Sequence, residues 1–138
     1  MPDGRRGGVL VDSSVLLDIF TDDPLWAGWS NVRLAAAFDA GSVVINPLVY
    51  AELSVAFEHI EALDAALPDE LGRESLPPQA AFLAGRCLLE HRRSGGPGRP
   101  TIAGFCIAAH AAITGRALLT RDPGGYGAQL PGLALICP

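Results

Sequence analysis

Val9-Leu10-Val11-Asp12-Ser13-Ser14-Val15-Leu16-Leu17 decides the fold of this chain. An apolar run that opens after Gly8 ends in an acid, and two hydroxyl residues and a second apolar stretch, as far as Phe20, follow it. Short polar side chains at such a junction accept the free N–H groups of a starting helix, so the segment predicts a strand that turns directly into a helix. The strand shows no polar alternation. A strand of that kind is covered on both faces, as in a parallel sheet.

The same short pattern returns along the chain. Ser42-Val43-Val44-Ile45, Ala117-Leu118-Leu119-Thr120 and Leu133-Ala134-Leu135-Ile136 are further apolar strands. Helical patterns separate them. Leu25, Trp26, Trp29, Val32, Leu34, Ala37 and Phe38 recur at spacings of three and four until Gly41 stops the pattern. Asn46-Pro47 offers an N-cap and a first-turn proline for a helix over 48–57. A short helix over 58–67 follows, then a turn-rich connector over 68–78, then a run of helix formers over 79–93. Residues 94–100 are nearly all glycine and proline and predict an exposed loop, after which an alanine-rich helix runs over 101–114 to Gly115. Strands alternating with helices predict an α/β fold of three layers, a small parallel sheet flanked by helices. A single domain over 1–138 is expected, with 1–8 as a flexible N-terminal segment.

Composition narrows the chemistry. Fifteen acidic residues face ten basic ones among 138, for a net charge of -5, and all ten basic residues are arginine. The absence of lysine excludes a Walker A loop, a Schiff base and a pyridoxal-phosphate site, each of which needs an amine. A hydrophobic fraction of 49% supports a packed core rather than a disordered chain. Averaged over the surface, the acidic balance argues against a nucleic-acid partner. Cys87, Cys106 and Cys137 are odd in number and have no C-x-x-C spacing, so buried free thiols are expected rather than a disulfide framework or zinc site. No apolar run approaches the ~20 residues of a membrane span, and the first eight residues lack the apolar stretch of a signal peptide. No membrane association and a cytoplasmic setting are the expectations.

In an open α/β sheet the functional crevice lies beyond the carboxyl ends of the strands. Asp12 ends the first strand, Asp122 follows the strand at 117–120, and Glu52 sits in the second turn of the helix that follows Ile45. All three point to one sheet edge. Like charges gathered there raise one another's pKa, and a divalent cation relieves them. Oxygen-only ligands select Mg²⁺ or Mn²⁺, which activates water and neutralises a phosphoryl group. Each acid also has a plain structural alternative: Asp12 as a helix cap, Glu52 as a solvated helix residue, and Asp122-Pro123-Gly124 as a turn.

These segments resemble a known family. The opening stretch, Asn46-Pro47-Leu48-Val49-Tyr50-Ala51-Glu52-Leu53, Phe105-Cys106-Ile107-Ala108-Ala109-His110-Ala111 and Leu118-Leu119-Thr120-Arg121-Asp122-Pro123 resemble, in order, the motifs of PIN-domain ribonucleases. The nearest likeness is to VapC-type toxins of toxin–antitoxin modules. The resemblance implies a PIN-like fold and an endoribonuclease dependent on Mg²⁺ or Mn²⁺, with Asp12, Glu52 and Asp122 as catalytic metal ligands. Ser13 and Thr120 match hydroxyls that support those acids. It also implies a homodimer and neutralisation by a cognate VapB-type antitoxin. One position departs: the family pattern has an aspartate before Phe105, where this chain has Gly104. Glycine supplies no oxygen ligand, and inside a helix it costs about 1 kcal/mol relative to alanine. Three explanations stand: a naturally weakened homologue, an introduced change that removes toxicity, or a resemblance offset by a few residues. The second leads, because a local rule breaks without structural benefit where a functional site lies. A missing acid implies reduced or lost RNA cleavage, and the alternative function is that of an inactive PIN-domain protein that acts through antitoxin binding.

Other residues carry weaker signals. Arg86, Arg92, Arg93 and Arg99 bracket the 94–100 loop, either as a solvated face or as a strip that guides RNA, with Arg116 and Arg121 as further phosphate contacts. His110 among alanines reads as a packed histidine, and three dispersed histidines support no nucleophilic triad. Leu25 to Trp29 offer either a partner surface or core.

Overall fold

The computed structural model describes residues 7–96, 98–124 and 126–138. Strands β1 (Val9–Val11), β2 (Val43–Ile45), β3 (Gly72–Arg73), β4 (Ala117–Leu119) and β5 (Leu135–Ile136) form one sheet in the order β3-β2-β1-β4-β5. All pairings are parallel, with Val9 opposite both Val43 and Ala117. Helices α1 (Ser13–Phe20) and α2 (Ala27–Ala40) join β1 to β2, and α3 (Pro47–Leu53) and α4 (Ile60–Ala66) join β2 to β3. Helices α5 (Pro78–Ser94) and α6 (Ile102–Thr114) lead to β4, and the short α7 (Tyr126–Gln129) precedes β5.

Strand order and chirality fix the layers. Parallel crossovers are right-handed, so steps outward from β1 to β3 put α1 to α4 on one face, and the return through β4 to β5 puts α5 to α7 on the other. The α/β fold with a small parallel sheet between helices is therefore as expected. Leu10, Val11, Ile45 and Leu119 from the strands are wholly buried, against Val15, Val49, Leu53 and Phe105 from the helices. β1 lies at the centre, and the connections that leave it and its neighbour β4 turn to opposite faces. That switch point is where a crevice opens.

Several boundaries differ from expectation. The turn-rich connector 68–78 contains β3, which the Glu74 N–H to Ile45 carbonyl bond of 2.9 Å continues beyond Arg73. Two residues among prolines and acids carry no pattern of their own, so the strand exists only through its pairing with β2. The helix expected over 48–57 ends at Leu53 and tightens into a 3₁₀ turn, Ser54–Ala56. Residues 1–6 of the segment expected to be flexible lie outside the described residues, while Gly7 and Gly8 are held by bonds from Arg116 and Ala117 to their carbonyls. Gly8 has a φ of +73°, and any Cβ there would meet the Ser42 hydroxyl and the Arg116 guanidinium, so only glycine fits.

Candidate active-site cleft

The end of β1 builds the centre of the cleft. The Asp12 N–H donates to the Leu119 carbonyl at 2.9 Å, which aligns the acid with Thr120 at the end of β4. Asp12 is also the N-cap of α1, its Oδ1 accepting from the Ser13 N–H at 2.8 Å. Its Oδ2 accepts from the Thr120 hydroxyl at 2.8 Å and the Ser14 hydroxyl at 3.4 Å. The helix-cap role expected for Asp12 is thus present in a side chain that also lines the cleft.

The other two acids join it from different elements. Asn46 caps α3 by accepting from the Val49 N–H at 3.0 Å, and the helix so oriented presents Glu52 to the same crevice. Glu52 Oε1 accepts from the Ser13 hydroxyl at 2.8 Å, with the hydroxyl oxygen 3.5 Å from Asp12 Oδ1. Asp122 is exposed on the loop after β4, its Oδ1 accepting from the Gly124 N–H at 3.3 Å in an Asx turn. Thr120 ties that loop to the centre, because its hydroxyl also lies 3.1 Å from both the Asp122 N–H and the Asp122 carbonyl. A cleft of about 320 Å³ is lined by Asp12, Ser13, Ser14, Glu52 and Asp122 together with Arg99, Thr101, Gly104, Gly124 and Tyr126.

Electrostatically, the cleft holds more negative charge than its surroundings favour. Burial raises the Asp12 carboxyl above its ordinary range despite the hydrogen bonds from Thr120 and Ser13 that favour its ionised form. Burial likewise raises Glu52 and the charge on Asp12 adds to the shift, against the Ser13 bond that lowers it. Such carboxylates suit a hard cation. The donor set fits Mg²⁺ or Mn²⁺ through Asp12 and Glu52, since magnesium is often held by one or two carboxylates with water completing its shell. Among the described residues no three of His, Cys, Asp and Glu are gathered closely enough to hold one ion, and Asp122 stands at the rim.

Gly104 lies in the first turn of α6, where its N–H donates to the hydroxyl of the N-cap Thr101 at 2.9 Å. A Cβ at this position would overlap the hydroxyl end of Tyr126, so the tyrosine would have to shift. With the tyrosine where it stands, Gly104 leaves the room that the ring's hydroxyl end fills, which helix propensity does not reveal. Tyr126 itself carries no signal in the sequence, since the residue that makes room for it is far away in the chain.

The arginines divide. Arg99 lines the cleft, while Arg86, Arg92 and Arg93 are exposed on α5 and do not line it. Arg116 and Arg121, expected as phosphate contacts, are corrected by their partners. Arg116 is buried and committed to Glu74 at 2.7 and 3.1 Å, the Gly7 carbonyl and the Ser42 hydroxyl. Arg121 grips the buried Asp18 with two bonds of 2.9 and 3.0 Å. His110 is buried as expected, its Nδ1 3.1 Å from Asn46 Nδ2 and its Nε2 3.0 Å from Glu74 Oε1. Trp26 and Trp29 are half-buried and meet edge to face, while Leu25 is 79% exposed. No helix among the described residues is long and apolar enough to cross a membrane.

No family model matches the chain, and no curated protein matches it. Solved structures do. VapBC from Salmonella typhimurium bound to DNA aligns at a TM-score of 0.70 and 19% identity, over 94% of this chain and 97% of that one. VapBC2 from Rickettsia felis, bound to a DNA fragment from its promoter, aligns at 0.69 and 18% over the same shares. A toxin–antitoxin complex from Klebsiella pneumoniae aligns at 0.61 and 17%, over 94% and 96%. The PIN-like fold implied by the resemblance is thus the fold of this chain.

Proposed function

We propose that the chain is a VapC-type toxin: a metal-dependent endoribonuclease that cleaves RNA phosphodiester bonds and is held inactive by a cognate VapB-type antitoxin. One observation carries the reading. Asp12, Glu52 and Asp122 line a single cleft at the switch point of a parallel sheet. The structures of similar fold are toxin–antitoxin complexes, which supports the antitoxin partner.

Asp12 and Glu52 would hold Mg²⁺ or Mn²⁺. When bound, the cation supplies charge neutralisation at the phosphoryl group and a more acidic water. The chain's own residues do the rest. Ser13 and Thr120 lock the two carboxylates in place through hydrogen bonds of 2.8 Å, so no reorganisation is needed as charge develops. Asp122, exposed at the rim, would be the carboxylate that accepts a proton from the incoming nucleophile. Arg99 provides the permanent positive charge that draws an RNA backbone to an otherwise acidic opening. The homodimer and the cytoplasmic setting belong to the same proposal.

The direct test is cleavage of RNA by the purified protein with Mn²⁺ or Mg²⁺, with EDTA, and as Asp12→Asn. Cleavage that chelator and substitution both abolish is expected. Intact RNA under every divalent condition would remove the nuclease reading. Gly104 favours one alternative, a non-catalytic protein that acts by binding its antitoxin, since no carboxylate stands at that wall of the cleft. Antitoxin capture without any cleavage would establish it. In the nuclease reading the same glycine implies a slower enzyme than one with a fourth acid.

A further inference from the structure

Tyr126 occupies a slot made by two glycines. Gly104, on α6, leaves the space that the hydroxyl and the Cε1 edge fill. Gly124, on the loop after β4, has a φ of +55°, and a Cβ there would lie 3.1 Å from Cε2 and 3.3 Å from Cδ2 on the opposite edge. The ring is further held edge to face against the wholly buried Phe105, centroids 5.0 Å apart. The ring therefore lies over two positions that carry no side chain and packs against Phe105.

Tyr126 lines the same cleft as the three carboxylates. Among the described residues its hydrogen-bond partner is the Thr101 N–H at 3.4 Å, and there the phenol oxygen accepts. The O–H hydrogen is left to point at an acceptor in the cleft. An incoming phosphodiester presents such acceptors, and the phenol lines the cleft together with Arg99 and Thr101. We infer that Tyr126 binds the RNA backbone, its hydroxyl donating to a non-bridging phosphate oxygen, from the place that Gly104 leaves open to it. The inference rests on the nuclease reading for the identity of the ligand. It assigns the wall at Gly104 a donor role toward substrate in place of an acidic one.

Tyr126→Phe removes the hydroxyl and keeps the ring, so the slot and the contact with Phe105 persist. Binding would be read by anisotropy of a fluorescein-labelled random-sequence RNA 12-mer in Ca²⁺, and cleavage in Mn²⁺, with thermal melting alongside. The expected result is about tenfold weaker binding, the scale of a lost hydrogen bond to a charged group, with an unchanged melting temperature. Cleavage should lose its efficiency mainly through KM. Gly104→Ala, which forces the ring from its slot, should weaken binding at least as much in the native background and add little in Tyr126→Phe. Native protein that binds and cleaves RNA while Tyr126→Phe matches it in both would overturn the role of Tyr126 and leave the nuclease reading intact. Native protein that neither binds nor cleaves RNA would overturn both.

Discussion

At the scale of single residues, Asp12 shows how one side chain carries opposed demands. It caps α1 and anchors the loop after β4, yet burial raises its carboxyl above the ordinary 3.8. A carboxyl whose folded pKa is raised contributes stability below its unfolded pKa and loses it as pH rises through the folded value. At neutral pH its charge is therefore a load on the fold. Asp12→Asn keeps a cap oxygen and removes the charge, so it should melt a few degrees higher at pH 7, the effect of about 1 kcal/mol in a small domain. The difference should close as pH falls below the unfolded value. Millimolar Mg²⁺ should raise the melting temperature of the native protein, by linkage to the folded state, and leave Asp12→Asn unmoved. Melting curves with and without Mg²⁺ at pH 4 and pH 7 check both statements. That Asp12, Glu52 and Asp122 share one cleft was legible in the sequence, because Asp12 and Asp122 follow strand ends and Glu52 lies on the helix that follows another. Tyr126 was not, because its place depends on empty volume at Gly104, and absent side chains leave no pattern.

At the scale of elements, charged residues that a sequence offers to solvent can instead be joints. Asp18 is 2% exposed on the inner face of α1, accepts from the Ser30 hydroxyl of α2 at 2.9 Å, and receives both bonds from Arg121. It thereby fastens α1, α2 and the loop that bears Asp122. Arg121 also stacks over Trp26, its Cζ 5.5 Å from the ring. Removing the acid strands a guanidinium that is only partly hydrated. Asp18→Asn should cost about 2 kcal/mol, below the range for a fully buried pair because the arginine is 30% exposed. Denaturant unfolding measures that loss, and hydrogen exchange should speed up at Arg121 and Asp122 before the core responds. The helices and the four apolar strands were readable from their periods and caps. β3 was not, since a two-residue strand borrows its order from a neighbour, and the 126–129 helix is too short to establish a period.

At the scale of the whole molecule, the net charge of -5 misdescribes the distribution of charge. Two of the acids stand together in the cleft, and Glu74 is consumed in a buried network that links β3, α6 and the start of β4. Burial by itself would raise Glu74, but the bonds from Arg116 and His110 outweigh it and hold the carboxyl below its ordinary 4.5. The Asn46 amide oxygen is occupied by the Val49 N–H, so its nitrogen donates to His110 Nδ1, leaving the Nε2 hydrogen to donate to Glu74. A depressed carboxyl pKa gives stability that is present above its unfolded value and lost as pH falls through the folded one. Glu74→Gln should therefore be less stable at pH 7 by about 3 kcal/mol, as for a broken buried pair, with the deficit shrinking below about pH 4.5. Chemical denaturation from pH 3.5 to 7 resolves that convergence. The strand order described above also bears on how the protein is made. β1, near the start of the chain, must wait for β4, whose Ala117 pairs with Val9, so the central contact of the sheet closes the longest loop. Such non-local pairing is slow. Because Asp12 at the end of β1 and Thr120 at the end of β4 are joined across that same late-forming seam, the cleft that Asp12 and Asp122 line takes shape only when the seam closes.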